Sequence, residues 1–374
     1  PPENPPLPRV GCGRFILVGL LLVSFAFNFL FCLAASVFRS NRDADLQERT
    51  LFTKGGGGRD KIAVVHVDGI LMESMIHYSL KQIEMVAKDE HVQAVILRID
   101  SPGGTISASE DVFKHLKRLR DGKVRKYPDS KAKKIVVSMG AVAASGGYYV
   151  SMTGERIYAE KGTLTGSIGV YASLPNVADF VHEHGIKFEL IKAGGIKAGG
   201  SPFHELTQQE RQPWQDMVDA AYDQFLDVVV EGRPKLAKEA MKSTPLFQKE
   251  VPIRDEKGNV VKDWWGRPRT TQITRYLADG GSFTSAEAKQ YGLVDEIGDL
   301  EDAVDGLANL TGLTRYSVVE YERPANFWTS LVGARQAAVP SVFDPQQFSN
   351  GLVPRVWYLS TQADLAGIFA GMNK

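Results

Sequence analysis

Cysteine is nearly missing from this chain: 374 residues contain two, Cys12 and Cys32, both in the first tenth. That excludes a disulfide framework or a cysteine metal cluster from the folded part, which must be held by burial alone. Net charge is missing too. Lys and Arg total 44 and Asp and Glu total 44, so no overall field points to nucleic acid or to an anionic membrane surface as a partner, and any electrostatic binding is local. Neither a metal nor another cofactor is called for by any cluster of ligand residues. What the chain does have is length. At 374 residues it exceeds one typical domain, and one large α/β domain with appendages fits as well as two.

It also has one long run without charge, "FILVGLLLVSFAFNFLFCLAASVF" from Phe15 to Phe38. As a helix this run would span roughly 36 Å and cross a bilayer with some tilt. We read it as a transmembrane anchor; a cleaved signal peptide, with "LAAS" at Leu33 to Ser36 as the cleavage site, is the rival reading. Residues 1–14 form a polar N-terminal segment, 39–60 a linker ending in "TKGGGGRD", and the globular domain is expected from Lys61. From there strand and helix patterns alternate: "KIAVVHVDG", "SLKQIEMVAKD", "VQAVILRIDSPGG" ending in a loop, "SASEDVFKHLKRLRD" and "KKIVVSMG". That rhythm predicts a layered α/β domain. Residues 248–272 read as an inserted hairpin with a turn at Gly258–Asn259, its Trp264 and Trp265 expected to pack on the body rather than touch a partner. From 311 to 374 no period is evident, and this stretch reads as an appendage.

Chemistry gathers around "VVSMGAVAASGGYYVSM", where Ser145 stands alone among Ala and Gly. Close packing of backbones would explain such a run, and so would a nucleophile that needs room. Ser145 follows a strand and precedes a helix, so Gly146 would offer a free N–H to a developing oxyanion. In "DSPGG", Gly103 and Gly104 let a second strand end bring its backbone close and offer another donor. A serine needs a base. His182, His184 and His204 sit at polar helix-end and loop positions. Lys192 and Lys197, in "FELIKAGGIKAGGSPF", lie among Ala and Gly, a setting that can lower an amine pKa from about 10.4. A neutral lysine is a competent general base.

The ordered set "DSPGG", "AVAASGGYYVSM", "TLTGSIGV", "FELIKAGGIKAGGSPF" and "YGLVDEIGDLEDAV" resembles the signal peptide peptidase family of membrane-anchored serine proteases, over residues 61–310. The resemblance implies a Clp protease/crotonase-like fold of repeated ββα units around a twisted sheet, homo-oligomers, apolar peptide substrates and no cofactor. It assigns Ser145 as nucleophile, Lys197 as general base and Ser167 as the residue that orients the lysine. Gly146 and Gly103 or Gly104 become the oxyanion donors. The family usually has an acidic residue after the catalytic lysine, where this chain has Ala198, so Lys192 stays open as the alternative base.

Two other classes compete. A crotonase-like acyl-CoA enzyme shares the glycine-rich oxyanion hole but uses no serine nucleophile, and a catalytically silent scaffold could keep the same fold. An α/β-hydrolase is disfavoured because Ala143 stands where its nucleophile turn has glycine. The side of the membrane is argued both ways. Arg9 and Arg14 precede the apolar run and Arg39, Arg42 and Arg49 come after it, a bias toward a cytoplasmic domain. The resemblance implies a domain outside the cytoplasm, and large domains translocate largely regardless of such a bias. We expect residues from about Arg39 onward to be extracytoplasmic.

Overall fold

The computed structural model describes residues 46–323 apart from 57 and 256, together with 355–359 and the helical residues Ser24, Phe25, Asn28 and Phe29. The rest of the expected anchor lies outside the described residues, as does most of the expected appendage. No described helix is long and apolar enough to cross a membrane. The chain divides into two units, Pro1–Gln47 with Glu322–Ala334, and a main body of Glu48–Tyr321 with Arg335–Lys374. Of the first unit only a few residues are described; the strands and helices named next make up the main body, sharing its border residues.

In chain order the strands and helices are β1 (Gln47–Lys54), β2 (Lys61–Leu71), α1 (His77–Lys88), β3 (Val92–Thr105), α2 (Ile106–Arg120), β4 (Lys134–Ala144) and α3 (Gly146–Ser151). Then come β5 (Arg156–Ala159), β6 (Leu164–Gly166), β7 (Tyr171–Ser173), α4 (Ala178–Glu183), α5 (Gln208–Gly232) and α6 (Lys238–Ser243). The remaining elements are β8 (Phe247–Pro252), β9 (Thr270–Arg275), β10 (Ser282–Thr284), α7 (Ser285–Gln290), β11 (Glu296–Ile297), α8 (Leu300–Thr311), β12 (Tyr316–Glu322) and β13 (Arg355–Leu359).

The main sheet runs β1-β12-β2-β3-β4-β5-β11, parallel from β12 across to β11. Its central strands are continuous apolar runs because both faces are covered. On one face Ala303, Val304 and Leu307 of α8 pack on Ile62, Val64, Ala94, Ile96 and Val136, all of them fully buried. This is a mixed α/β body with a central sheet, as the alternating patterns predict.

The structure departs from the sequence reading at four places. The sheet reaches past both expected domain limits, since β1 falls within the presumed linker and β12 within the presumed appendage. Tyr316, Val318, Val319 and Tyr321 are buried in β12, a strand pattern too short to stand out from the tail. The glycines after β1 form a tight turn: a Cβ on Gly55 (φ 67°) would lie 2.3 Å from the Thr314 carbonyl oxygen. Third, "SPGG" is not a loop but the end of β3, paired with β2 at Ile70↔Gly103 and Leu71↔Gly104. Last, the hairpin of β8 and β9 forms, yet Trp264 and Trp265 are 93% and 76% exposed rather than packed on the body.

Candidate active site

Parallel neighbours end side by side, and a crevice at the carboxyl ends of parallel strands is where α/β folds place ligands. Strands β3 and β4 keep register up to Ile99↔Met139, and then Ser101 faces Ala143. The extra residues on β4 make a bulge, a device that bends a strand and re-aims its side chains. The chain leaves β4 directly into Ser145.

Ser145 sits between β4 and α3 with φ 52° and ψ −114°. It and Ser167 (φ 51°) are the only residues other than glycine with positive φ among the described residues. Such backbone costs about 1–3 kcal/mol and persists where the surroundings enforce it. Here the enforcement is visible: the Ser145 N–H donates to the Gly166 carbonyl (2.8 Å), next to the pair Ala144↔Gly166 that joins β4 to β6. The two strained serines therefore lie at adjacent strand ends. Ser145 is 0% exposed, and its Oγ has no hydrogen-bond partner. A buried hydroxyl left unpaired costs about 1–3 kcal/mol, so fold stability gives no reason to keep it.

The neighbouring glycines have steric reasons. A Cβ on Gly147 would lie 2.6 Å from the Ser101 carbonyl oxygen and one on Gly104 would lie 1.9 Å from that of Leu71. These contacts press α3 and β2 against the end of β3. Gly146 opens α3, where its N–H has no preceding helical turn to donate to. Gly103 (φ 100°) donates its N–H to Ser101 Oγ (3.1 Å), whose hydroxyl donates to the Gly69 carbonyl (2.6 Å). To serve an oxyanion, Gly103 must give up that bond.

The two lysines differ. Lys192 Nζ donates to Glu210 Oε1 (3.1 Å) and to the Gly195 carbonyl (2.9 Å). Glu210 is buried and is held in a capping box with Thr207 at the start of α5. The Thr207 N–H holds the Glu210 carboxyl below the usual carboxylate range, burial pulls the other way, and Lys192 adds to the lowering. Sequence reasoning missed Glu210, although T-Q-Q-E is a capping-box signature. Lys197 is exposed, and its amine makes no hydrogen bond or ion pair among the described residues. Neither lysine bonds Ser145. Ser167 Oγ donates to the Gly280 carbonyl (3.0 Å) rather than to an amine. His184 Nδ1 and His204 Nε2 lie 2.8 Å from the Phe180 and 2.9 Å from the Ala198 carbonyl oxygens, and His182 lies on exposed α4, so no histidine pairs with Ser145.

Residues 128–246 match the model of peptidase family S49. A protein of Synechocystis sp. named as a candidate protease is 33% identical over 68% of this chain and 76% of its own length. The chain belongs to peptidase family S49. A protein of Enterococcus faecium named as a candidate signal peptide peptidase SppA is 28% identical over 84% of this chain and 85% of its own. Protease 4 of Haemophilus influenzae is 30% identical over 70% of this chain and 36% of its own. The protein is thus an SppA-like S49 protease of the serine type, and peptides are its substrates.

Two further features of this S49 chain lie at the end of β3. A cavity of about 520 Å³ lined by Glu73, Ile76, His77, Leu80, Ala108 and Glu110 adjoins the end of β3, where Thr105 Oγ1 donates to Glu73 (2.9 Å). Lys114, also in its lining, pairs with Glu110 (2.9 Å). The second is β13. It pairs antiparallel with β3 at Leu359↔Gly103, Tyr358↔Gly104 and Trp357↔Thr105, and with β7 at Arg355↔Ser173 through Trp357↔Tyr171.

Proposed function

We propose that this protein is a membrane-anchored serine endopeptidase that cleaves apolar peptides, such as signal peptide remnants, through an acyl-enzyme on Ser145 with Lys197 as general base. The observation that carries this reading is the buried, unpartnered Ser145 Oγ on a strained strand-to-helix turn. Neutral Lys197 takes the Ser145 proton as Oγ attacks the peptide carbonyl carbon, forming the ester C–O bond. The Gly146 N–H and one from Gly103 or Gly104 receive the oxyanion. Collapse breaks the C–N bond, the lysine returns the proton to the leaving amine, and water then hydrolyses the ester by the same route.

The reading requires the glycine-bounded segment around Lys197 to close over Ser145, within one chain or between copies of a homo-oligomer, with Ser167 turning its hydroxyl to the amine. Lys192 is the poorer candidate, since its amine is already engaged by Glu210 and the Gly195 carbonyl. The rival acyl-CoA reading has no use for a hydroxyl held this way. A fluorophosphonate probe should label the parent chain and spare Ser145→Ala; equal labelling of both would end the assignment.

The anchor is proposed at residues 15–38 on the strength of their uncharged run, with the domain outside the cytoplasmic membrane, and the signal peptide peptidase name of the Enterococcus relative supports signal peptides as substrates. Protease added to intact spheroplasts should digest the domain; protection until lysis would place it inside.

A further inference from the structure

The β8–β9 insertion contains the same turn twice, eight residues apart in sequence: "RDEKGNVV" from Arg254 and "KDWWGRPR" from Lys262. In the first, Asp255 N–H donates to the Asn259 carbonyl (2.8 Å) and Gly258 N–H to the Asp255 carbonyl (2.9 Å). Asp255 Oδ1 accepts from Lys257 N (3.0 Å) and Asn259 N (2.8 Å). In the second, Asp263 N–H donates to the Arg267 carbonyl (2.8 Å) and Gly266 N–H to the Asp263 carbonyl (3.0 Å). Asp263 Oδ1 accepts from Trp265 N (2.9 Å) and Arg267 N (2.8 Å). Both glycines have positive φ, 82° and 77°. The turn is thus specified by Asp and Gly, and between them in sequence the first copy has Glu256 and Lys257 where the second has Trp264 and Trp265. Polar residues serve this fold equally well, so the exposed tryptophans are there for something else.

Three observations identify the occupant. Trp is the side chain most at home at a membrane–water interface, an apolar ring with one N–H for the headgroups. Around the pair, Arg254, Lys257, Lys262, Arg267 and Arg269 are exposed and ion-paired with no acidic group among the described residues, while Asp255 and Asp263 are occupied inside the turns. Basic residues close to an anionic bilayer are drawn to its negative surface. The third is area. Two Trp rings bury about 300–500 Å², well short of the ~800 Å² per partner of a specific protein interface, whereas a bilayer surface receives a narrow tip without further complementarity.

We infer that the Trp264–Trp265 turn is a second membrane contact, inserting into the headgroup region of an anionic bilayer. It rests on the anchored reading above only in that a bilayer must lie within reach of the domain. The test uses the full chain reconstituted into vesicles of anionic lipid, with or without bromine on the acyl chains, and the double variant Trp264→Glu, Trp265→Lys, which copies the first turn. The chain has five tryptophans, so the readout is the emission difference between parent and variant. That difference should be blue-shifted and quenched more than twofold by brominated lipid, with weaker quenching in zwitterionic vesicles. Co-flotation with vesicles but a difference emission quenched only by aqueous acrylamide overturns the inference and leaves the anchor standing. Protection from both quenchers also overturns it, in favour of a second copy or another protein on the tip. A chain that fails to float with vesicles removes the anchored reading and this one together.

Discussion

At the scale of single residues, Ser145 combines three costs that a stable core avoids: positive φ, burial and an orphan hydroxyl. Ser145→Ala should therefore abolish peptide cleavage while leaving the melting temperature at or above that of the parent, because the unpaired buried hydroxyl is removed. A fall of several degrees would mean that Oγ has a structural partner. The lysines should separate just as sharply. Lys197→Ala should be as damaging as the loss of Ser145, because members of a nucleophile–base pair act as a unit, whereas Lys192→Ala should keep most of the turnover of a soluble apolar peptide. A lysine base works only as the neutral amine, whose reference pKa is about 10.4, so the rate should climb from neutral into alkaline pH. A maximum in mild acid would exclude it. The unusual turn at Ser145 and the positive φ of Gly103 were legible in the sequence, because Gly and Ser gather where strand ends are strained or closely approached, whereas Ser167 was named by resemblance alone and its hydroxyl bonds the Gly280 carbonyl. The anchoring of the lysine segment was not legible, since it is tied to the body through Lys192 and Glu210, a pair that neither segment's composition announces.

Elements carry a pH dependence of their own. The stretch between α4 and α5 is held by Lys192 and Glu210, and Glu210 is depressed in the folded protein, first by the Thr207 N–H. A carboxyl whose folded pKa lies below its unfolded value, about 4.3, stabilises above that value, and the contribution is lost as pH falls through the folded pKa. Amide exchange between residues 192 and 210 should thus accelerate in acid before the main sheet loosens. In Lys192→Ala the folded pKa rises, so the loosening should begin at higher pH; an unchanged onset would show that the ion pair contributes nothing. The β8–β9 hairpin was legible from its turn residues, whereas the exposure of its tryptophans was not. Aromatic residues pack by default, and only the comparison with the first, polar turn shows that this pair is not needed for folding.

For the whole molecule, the alternating strand and helix patterns were enough to give the class of fold, because a parallel sheet buried on both faces writes continuous apolar runs into the sequence. Its limits were not legible. Strands β1, β12 and β13 join the sheet from segments whose composition reads as linker or tail, and their partners are distant in the chain. The last of these has a kinetic meaning. A peptide laid along Gly103–Thr105 must first displace Trp357–Leu359, and that competitor is tethered to the enzyme it blocks. Its effective concentration is fixed by the chain and not by dilution. Shortening the protein to end before Arg355 should therefore raise kcat/KM by the same factor at every enzyme concentration. A gain that vanishes on dilution would mean the strand is donated between molecules, and no gain at all would mean substrates never use that edge.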